Sequence, residues 1–387
     1  MQDINKTVIC AMSGGVDSSV AALLLKQQGY NVIGVTMKLW ECFKNPEKQM
    51  CCSPLDVDDA RSVCEQIGIK HHVLDLRQEF KKLVVDYFAE EYSRGRTPNP
   101  CIKCNEVVKF ELLREKTLEL FDTDIIATGH HARIELRSHC EVEDRSNLVN
   151  SLDCFANARN DMKYRLLKGK DPQKDQSYFL FTLTKDQMER TLFPVGGMTK
   201  DEVREVASGA GLKTSKKRES QDICFIVDGD YAGFINDFYP DLAKPSGNFV
   251  DESGKILGKH EGSHAYTIGQ RRGLGFGFGK RKYVVKVDPE KNEVLLGDDE
   301  DLYGKEMVVD AIDRAIVLSC YREKKLNVKI RYRHDGAKVK LVEEGDSIKV
   351  IFDEAQRAIT PGQAAVFYDG DEVVGGGWIL KTVNCES

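Results

Sequence analysis

Between residues 7 and 25 the chain reads Thr7-Val8-Ile9-Cys10, then Ala11-Met12-Ser13-Gly14-Gly15-Val16-Asp17-Ser18, then Ser19-Val20-Ala21-Ala22-Leu23-Leu24-Leu25. A short apolar run, a pair of turn glycines and a stretch with helical spacing read as strand, tight turn and helix. A Gly-Gly turn at a helix start aims backbone N–H groups and the positive end of the helix dipole at one point, which makes an anion site. Small residues let a phosphate approach the backbone, and Ser13, Ser18 and Ser19 add hydroxyl donors. No Gly-Lys-Ser/Thr follows the glycines, so the loop is not of the Walker A type. A strand-turn-helix that binds nothing is the competing reading of the same residues.

The first third of the chain continues this alternation. Strands are expected at 7–12, 31–37, 71–76 and 124–128, and helices at 16–28, 55–67, 79–92 and 105–120. That order predicts an α/β fold, a parallel sheet with helices on both faces, with ligands bound beyond the carboxyl ends of the strands. Residues 136–162 are polar and weakly periodic and read as an insertion or long surface loop. Thr199 as N-cap, Glu202 at the capping-box position and Gly211 as the stop define a further helix. From residue 283 the period changes to two, with strands expected at 283–287, 293–296, 326–332, 337–342, 347–352, 364–368 and 373–380. Short spacings between them favour a small antiparallel barrel or sandwich. A length of 387 residues exceeds what one core supports, and these shifts divide it into 1–222, a Gly- and aromatic-rich central segment 223–282, and 283–387.

Hydrophobic residues make up 41% of the chain and charged residues 30%, as in ordinary globular proteins. No apolar stretch approaches the ~20 residues of a membrane span, and the N-terminus shows no secretory pattern, so a cytoplasmic protein is expected. The net charge of -6 argues against a generally basic nucleic-acid binder, while basic runs at 213–218 and 271–282 suit phosphate contacts. Twelve cysteines in a long chain of this kind point away from a disulfide scaffold. Cys10 and Cys64 fall on apolar periodic positions and read as core thiols. In Thr97-Pro98-Asn99-Pro100-Cys101-Ile102-Lys103-Cys104-Asn105, two prolines fix an extended loop and Cys104 falls at the expected start of the next helix. There the dipole and Lys103 favour the thiolate. The competing reading of the Cys101–Cys104 pair is half of a zinc site, with Cys51 and Cys52 as further ligands, although adjacent cysteines are poor zinc spacing. Cys224 lies between Lys216-Lys217-Arg218 and an apolar run, and reads as either a core or a reactive thiol.

Taken together, the chain resembles the tRNA-specific 2-thiouridylase family, which carries the PP-loop (Ser-Gly-Gly-x-Asp-Ser) of enzymes that split ATP into AMP and pyrophosphate. The matching stretches are Met12-Ser13-Gly14-Gly15-Val16-Asp17-Ser18-Ser19, Gly95-Arg96-Thr97-Pro98-Asn99-Pro100, Cys104-Asn105 and Ala127-Thr128-Gly129-His130. Further on come Lys174-Asp175-Gln176-Ser177-Tyr178-Phe179-Leu180, Asp222-Ile223-Cys224-Phe225-Ile226, His264-Ala265-Tyr266-Thr267-Ile268-Gly269-Gln270-Arg271 and Thr360-Pro361-Gly362-Gln363. The resemblance implies a PP-loop (adenine nucleotide alpha hydrolase-like) domain, a small central adaptor domain and a C-terminal antiparallel β-barrel. It implies adenylation of C2 of the wobble uridine by ATP, then sulfur transfer from a cysteine persulfide. Ala11, Met12, Ser13, Gly14, Gly15, Val16, Asp17, Ser18, Met37 and Gly129 would bind the nucleotide, with Asp17 assisting through Mg²⁺. Cys224 would carry the persulfide and Cys104 would be the nucleophile that releases it, a scheme to which a disulfide bond belongs.

By the same resemblance Asn99, Pro100 and Cys101 would border the flipped target base. His130, Lys174, Asp175, Gln176, Arg331, Tyr332 and Gln363 would touch the tRNA. The implied partners are a tRNA with a wobble uridine and a cysteine desulfurase or sulfur-relay protein. Many members of the family carry Asp where this chain has Cys101, so Cys101, Cys104 and Cys224 form a candidate set for a [4Fe-4S] cluster, as an alternative to the persulfide. Two other classes compete. Another PP-loop ligase leaves Cys104 and Cys224 without a task, and a non-catalytic RNA-binding protein with structural zinc would turn over no ATP.

Overall fold

The computed structural model describes residues 6–41, 54–136, 164–217, 223–226, 229–275, 281–312 and 324–383. They divide into two compact units, one comprising residues up to 84, 101–229 and 371–373, the other 85–100, 230–370 and 374 onward.

The first unit holds strands β1 (Thr7–Ala11), β2 (Asn31–Lys38), β3 (Lys70–Asp75), β4 (Ile126–Ala127), β5 (Ala132–Leu136), β6 (Tyr164–Lys168) and β7 (Thr191–Leu192). Five of them form a sheet in the order β3-β2-β1-β4-β7, every pairing parallel. The helices that cover it include α1 (Val16–Gln27), α2 (Pro54–Ile67) and α3 (Lys200–Gly209). Val8 and Cys10 of β1, Val16, Val20 and Leu23 of α1, Ala60 and Val63 of α2, and Val203 and Ala207 of α3 meet in one buried apolar cluster. Cys10 and Cys64 lie inside it, as their periodic positions suggest, and burial pushes the Cys64 thiol up to about 12. The strands β5 and β6 pair antiparallel, and Glu372 and Val373 add to β6 opposite Leu167 and Leu166. The insertion expected at 136–162 lies outside the described residues beyond Leu136.

In the second unit, β8 (Gly247–Val250), β9 (Ile256–His260), β10 (Tyr283–Asp288) and β11 (Glu293–Gly297) form a four-stranded sheet in the order β10-β11-β8-β9. Here the structure corrects the sequence reading. The strands β10 and β11 were expected in the C-terminal barrel, yet β11 pairs with β8 from Glu293↔Asn248 to Leu295↔Val250. Their inward residues Val284, Val294 and Leu296 close a small core with Phe249, Tyr266 and Leu274. The barrel itself comprises β12 (Tyr303–Ile312), β13 (Leu326–Lys329), β14 (Ala337–Glu344), β15 (Ser347–Arg357), β16 (Ala364–Asp369) and β17 (Glu372–Val383). Strand β12 pairs with both β15 and β17, so the ring closes and leaves no edge to template aggregation. Gly377 permits that closure, because a Cβ there would run into the backbone of Asp310. The strand expected at 326–332 ends at Lys329, which leaves Arg331 and Tyr332 in the turn that follows.

Candidate active site

Strand β1 is where the order of the parallel sheet reverses, with β2 on one side and β4 on the other, and crevices at such points receive ligands. Three segments converge there: the glycine turn after β1, Met37 near the end of β2, and Thr128-Gly129 after β4. Gly14 has φ +72°, and a Cβ on it would strike the backbone of Asp56 at the start of α2. Gly15 is the N-cap of α1 and no side chain caps it, so the first N–H groups of the helix face the turn without a capping acceptor. Gly129 lies so close behind this helix start that a Cβ would be 2.5 Å from the Ser18 nitrogen. Ala11, Met12 and Val16 are buried and offer backbone only. The serines divide their tasks: Ser18 and Ser19 donate to the Gly15 carbonyl at 3.1 and 2.8 Å, whereas Ser13 remains exposed at the rim.

Asp17, in the first turn of α1, receives Lys200 Nζ at 2.8 Å on each carboxylate oxygen and His131 Nε2 at 3.2 Å. Burial pulls the Asp17 carboxyl upward, but the hydrogen bonds and charges of His131 and Lys200 outweigh it and hold the group below the usual carboxylate range. The sequence reading missed both partners. One signal was present, since Lys200 is the first residue of α3, where a cation opposes the helix dipole. The expected capping box at Thr199 and Glu202 does form, with Gly211 at φ +66° just beyond the helix end.

The stretch 174–177 braces the loop that carries His131. The His131 amide donates to Gln176 Oε1 at 2.8 Å and the Gln176 amide donates to the His131 carbonyl at 2.9 Å. Asp175 is buried and accepts from the Gly169 and Ser177 amides, each at 3.0 Å, and from the Ser177 hydroxyl. His130 is also enclosed, with Nδ1 2.7 Å from Thr128 Oγ1 and its ring against those of Phe110 and Phe193, which also meet each other. Burial drives its pKa well below the ordinary histidine value. Lys174 is half-buried and within the same stretch.

Residues 100–121 form one helical run whose segment Asn105–Leu112 is wound as a π-helix, a form frequent at functional sites. The helix therefore begins at Pro100 and not at Cys104. Proline's fixed φ suits the first helical position, and its missing N–H costs nothing there. The dipole argument thus moves to Cys101, exposed in the first turn, while Cys104 lies one turn in and is 8% exposed. Lys103 donates to Glu106 at 3.1 Å, so its charge is shared with a carboxylate instead of serving the thiol alone. Cys224 is half-buried, and Phe225 beside it packs on Phe80 and Trp40 with ring centroids 5.9 and 6.1 Å apart. The basic run before it is partly committed, since Lys217 is bound by Asp56 at 2.7 Å and Asp59 at 2.5 Å. Arg218 lies outside the described residues, as do 276–280 of the other basic run and Cys51-Cys52. Among the described residues no three His, Cys, Asp or Glu side chains come together as metal ligands. Cys101, Cys104 and Cys224 are all described, and no such group is found among them.

In the second unit, two of the quoted motifs meet. The Thr97 amide donates to the Pro361 carbonyl and Gln363 Nε2 donates to the Thr97 carbonyl, both at 2.8 Å. Gln363 therefore anchors the stretch that leads into Asn99 and Pro100. Arg331 is exposed and donates to the Arg357 carbonyl at 3.1 Å, and Tyr332 beside it is half-buried.

A parallel sheet with an uncapped glycine turn at its switch point is the α/β arrangement expected of the PP-loop class that the Ser13–Ser18 motif resembles. Residues 6–228 match the family model described as the tRNA methyl transferase HUP domain, 233–298 the tRNA methyl transferase PRC-barrel domain, and 312–379 the aminomethyltransferase beta-barrel domain. The tRNA-specific 2-thiouridylase MnmA of Geotalea uraniireducens is 45% identical over 99% of this chain and 97% of its own. The same-named protein of Geobacter metallireducens is 47% identical, over 97% of this chain and 96% of its own. That of Lachnoclostridium phytofermentans is 45% identical, over 97% and 100%. The chain belongs to the tRNA-specific 2-thiouridylase family.

Proposed function

We propose that this protein is an ATP-dependent tRNA sulfurtransferase that converts the wobble uridine to 2-thiouridine. The observation that carries the reading is the uncapped start of α1 at the switch point of the sheet, in the same unit as Cys104 and Cys224. An anion cradle alone suits any nucleotide ligase. Paired with two thiols and end-to-end identity near 45% to relatives named as 2-thiouridylases, it favours sulfur transfer.

The chemistry runs in two stages. The C2 oxygen of the uridine attacks the α-phosphorus of ATP, pyrophosphate departs into the glycine turn, and C2 becomes electrophilic. The outer sulfur of a Cys224 persulfide attacks C2 and AMP leaves. The Cys104 thiolate then attacks the inner sulfur, which forms a Cys104–Cys224 disulfide and leaves sulfur on the base; an external thiol resets the pair. Mg²⁺ would neutralise the phosphates, and Asp17, in the first turn of α1, would be the carboxylate that holds it. The persulfide sulfur would come from a cysteine desulfurase, directly or through a relay protein. Asn99 and Cys101 would border the flipped base, with Lys174, Arg331 and Tyr332 on the RNA. His130, Asp175, Gln176 and Gln363 would act by bracing the loops around them. No helix among the described residues is long and apolar enough to cross a membrane; the cytoplasm is the proposed location because tRNA is the proposed substrate.

The test is pyrophosphate release from ATP with and without unmodified tRNA, in the natural chain and in Cys224→Ser. Release that needs tRNA and persists in the variant supports adenylation of the base ahead of thiol chemistry. Release that ignores tRNA contradicts it.

A further inference from the structure

Lys200 has no task in the scheme above, yet it is the most deeply enclosed ammonium at the glycine turn. We propose that Lys200 is the fixed cation that receives the pyrophosphate half of the nucleotide, held ready by Asp17 and guided by His131. The proposal deepens the nucleotide-site reading and rests on it.

Five observations support it. Lys200 is 7% exposed and sits on the first residue of α3, a place where helix electrostatics disfavour a cation. Packing does not demand it, because Val203 and Ala207 of α3 already share the apolar cluster with Val16, Val20 and Leu23 of α1. Buried ion pairs of this kind are often replaceable by apolar residues without loss of stability. Its ammonium is centred on both oxygens of Asp17, and Asp17 belongs to the first turn of α1, on the rim of the cradle that faces the phosphates.

The remaining two observations concern charge and handover. The donors of the cradle are neutral N–H groups, and the Ser18 and Ser19 hydroxyls are already turned to the Gly15 carbonyl. Lys217, the ammonium at the start of α2 behind Gly14, is committed to two carboxylates, Asp56 and Asp59. A departing pyrophosphate carries several negative charges, more than one Mg²⁺ offsets, so a side-chain cation that can turn to it adds to the neutral donors of the cradle. His131 supplies the handover. It is 2% exposed, its backbone is pinned on both sides by Gln176, and its Nε2 already lies on Asp17. Its Nδ1 has no partner among the described residues. When Lys200 turns from Asp17 to the phosphates, His131 keeps the carboxylate from standing alone.

The experiment measures binding of inorganic pyrophosphate and of AMP, separately, to the full-length chain and to Lys200→Met, Lys200→Gln and Lys200→Arg by calorimetry. Loss of one charge-assisted phosphate contact predicts pyrophosphate affinity about tenfold or more weaker in Lys200→Met, with AMP affinity unchanged within about twofold. Lys200→Arg keeps the pyrophosphate affinity. Lys200→Gln retains a hydrogen bond to Asp17 without the charge, so it shows the same loss even where the Met variant does not fold. Pyrophosphate binding at the natural level in the Met or Gln variant overturns the proposal, as does an equal fall for AMP and pyrophosphate, which marks a structural pair. If the natural chain binds neither compound, the nucleotide-site reading itself fails.

Discussion

The C-terminal barrel and the region behind the glycine turn are both buried, but with different material. The barrel encloses a large apolar cluster that includes Met307, Val309, Val328, Val350, Phe352 and Phe367. Around the turn the buried set includes Ser18, Ser19, Thr128, His130, His131, Asp175 and Lys200, each hydrogen-bonded to a specified neighbour or charged partner. Apolar burial is non-directional and tolerates substitution of similar volume, whereas a buried polar group is costly unless its partner is in place. The barrel is therefore a scaffold whose side chains answer to volume. The turn is a site whose side chains answer to geometry and charge.

Breaking that contrast at its strongest point means emptying the barrel core. Phe367→Ala removes a fully buried ring and is expected to cost about 3–5 kcal/mol in urea unfolding, with AMP affinity of the folded protein unchanged. A parallel loss of AMP binding would show that the two regions are not separable. Gly129→Ala adds a single carbon, 2.5 Å from the Ser18 nitrogen and 2.6 Å from the Asp17 carbonyl carbon. Its stability cost is about 1–3 kcal/mol, yet AMP and pyrophosphate binding should both collapse, because the start of α1 must shift.

The pH dependence sharpens the same contrast. His130 is held neutral by burial, so the unfolded chain binds the extra proton and stability falls as pH drops below 6.5. The slope from this residue approaches about 1.4 kcal/mol per pH unit, read as the difference between the natural chain and His130→Gln. The carboxylate of Asp17, lowered in the fold, adds stability that is present above 3.8 and lost only as pH falls below it. A curve identical in the His130 variant would remove that residue from the polar set. Smallest of all, Thr199→Ala removes the capping hydrogen bond of α3 and should cost about 1 kcal/mol, measured as a lowered Tm.

What could be read in the sequence follows from how local each cause is. The glycine turn, the Thr199–Glu202 capping box, the Gly211 stop and most barrel strands depend on neighbours within a few residues, and all were legible. The start of the Cys104 helix was misplaced because Pro100 looks like a loop residue and is in fact a first-turn residue. Strands β10 and β11 alternate as barrel strands do, and only the pairing of β11 with β8, more than 40 residues upstream, assigns the hairpin elsewhere. The clamp on Asp17 was out of reach for a stronger reason, since Lys200 lies 183 residues away and no local pattern links the two. Pairings across such separations are set by topology, and period and turn chemistry are silent about them.

The central claim is tested most directly by nucleoside mass analysis of unmodified tRNA after incubation with the full-length protein, ATP, Mg²⁺, cysteine and a cysteine desulfurase, in parallel with Cys224→Ser. The account predicts 2-thiouridine with the natural chain and none with the variant, while tRNA-dependent pyrophosphate release continues in both. Absence of 2-thiouridine from the natural chain despite ATP consumption, or its formation at full level by Cys224→Ser, would contradict it.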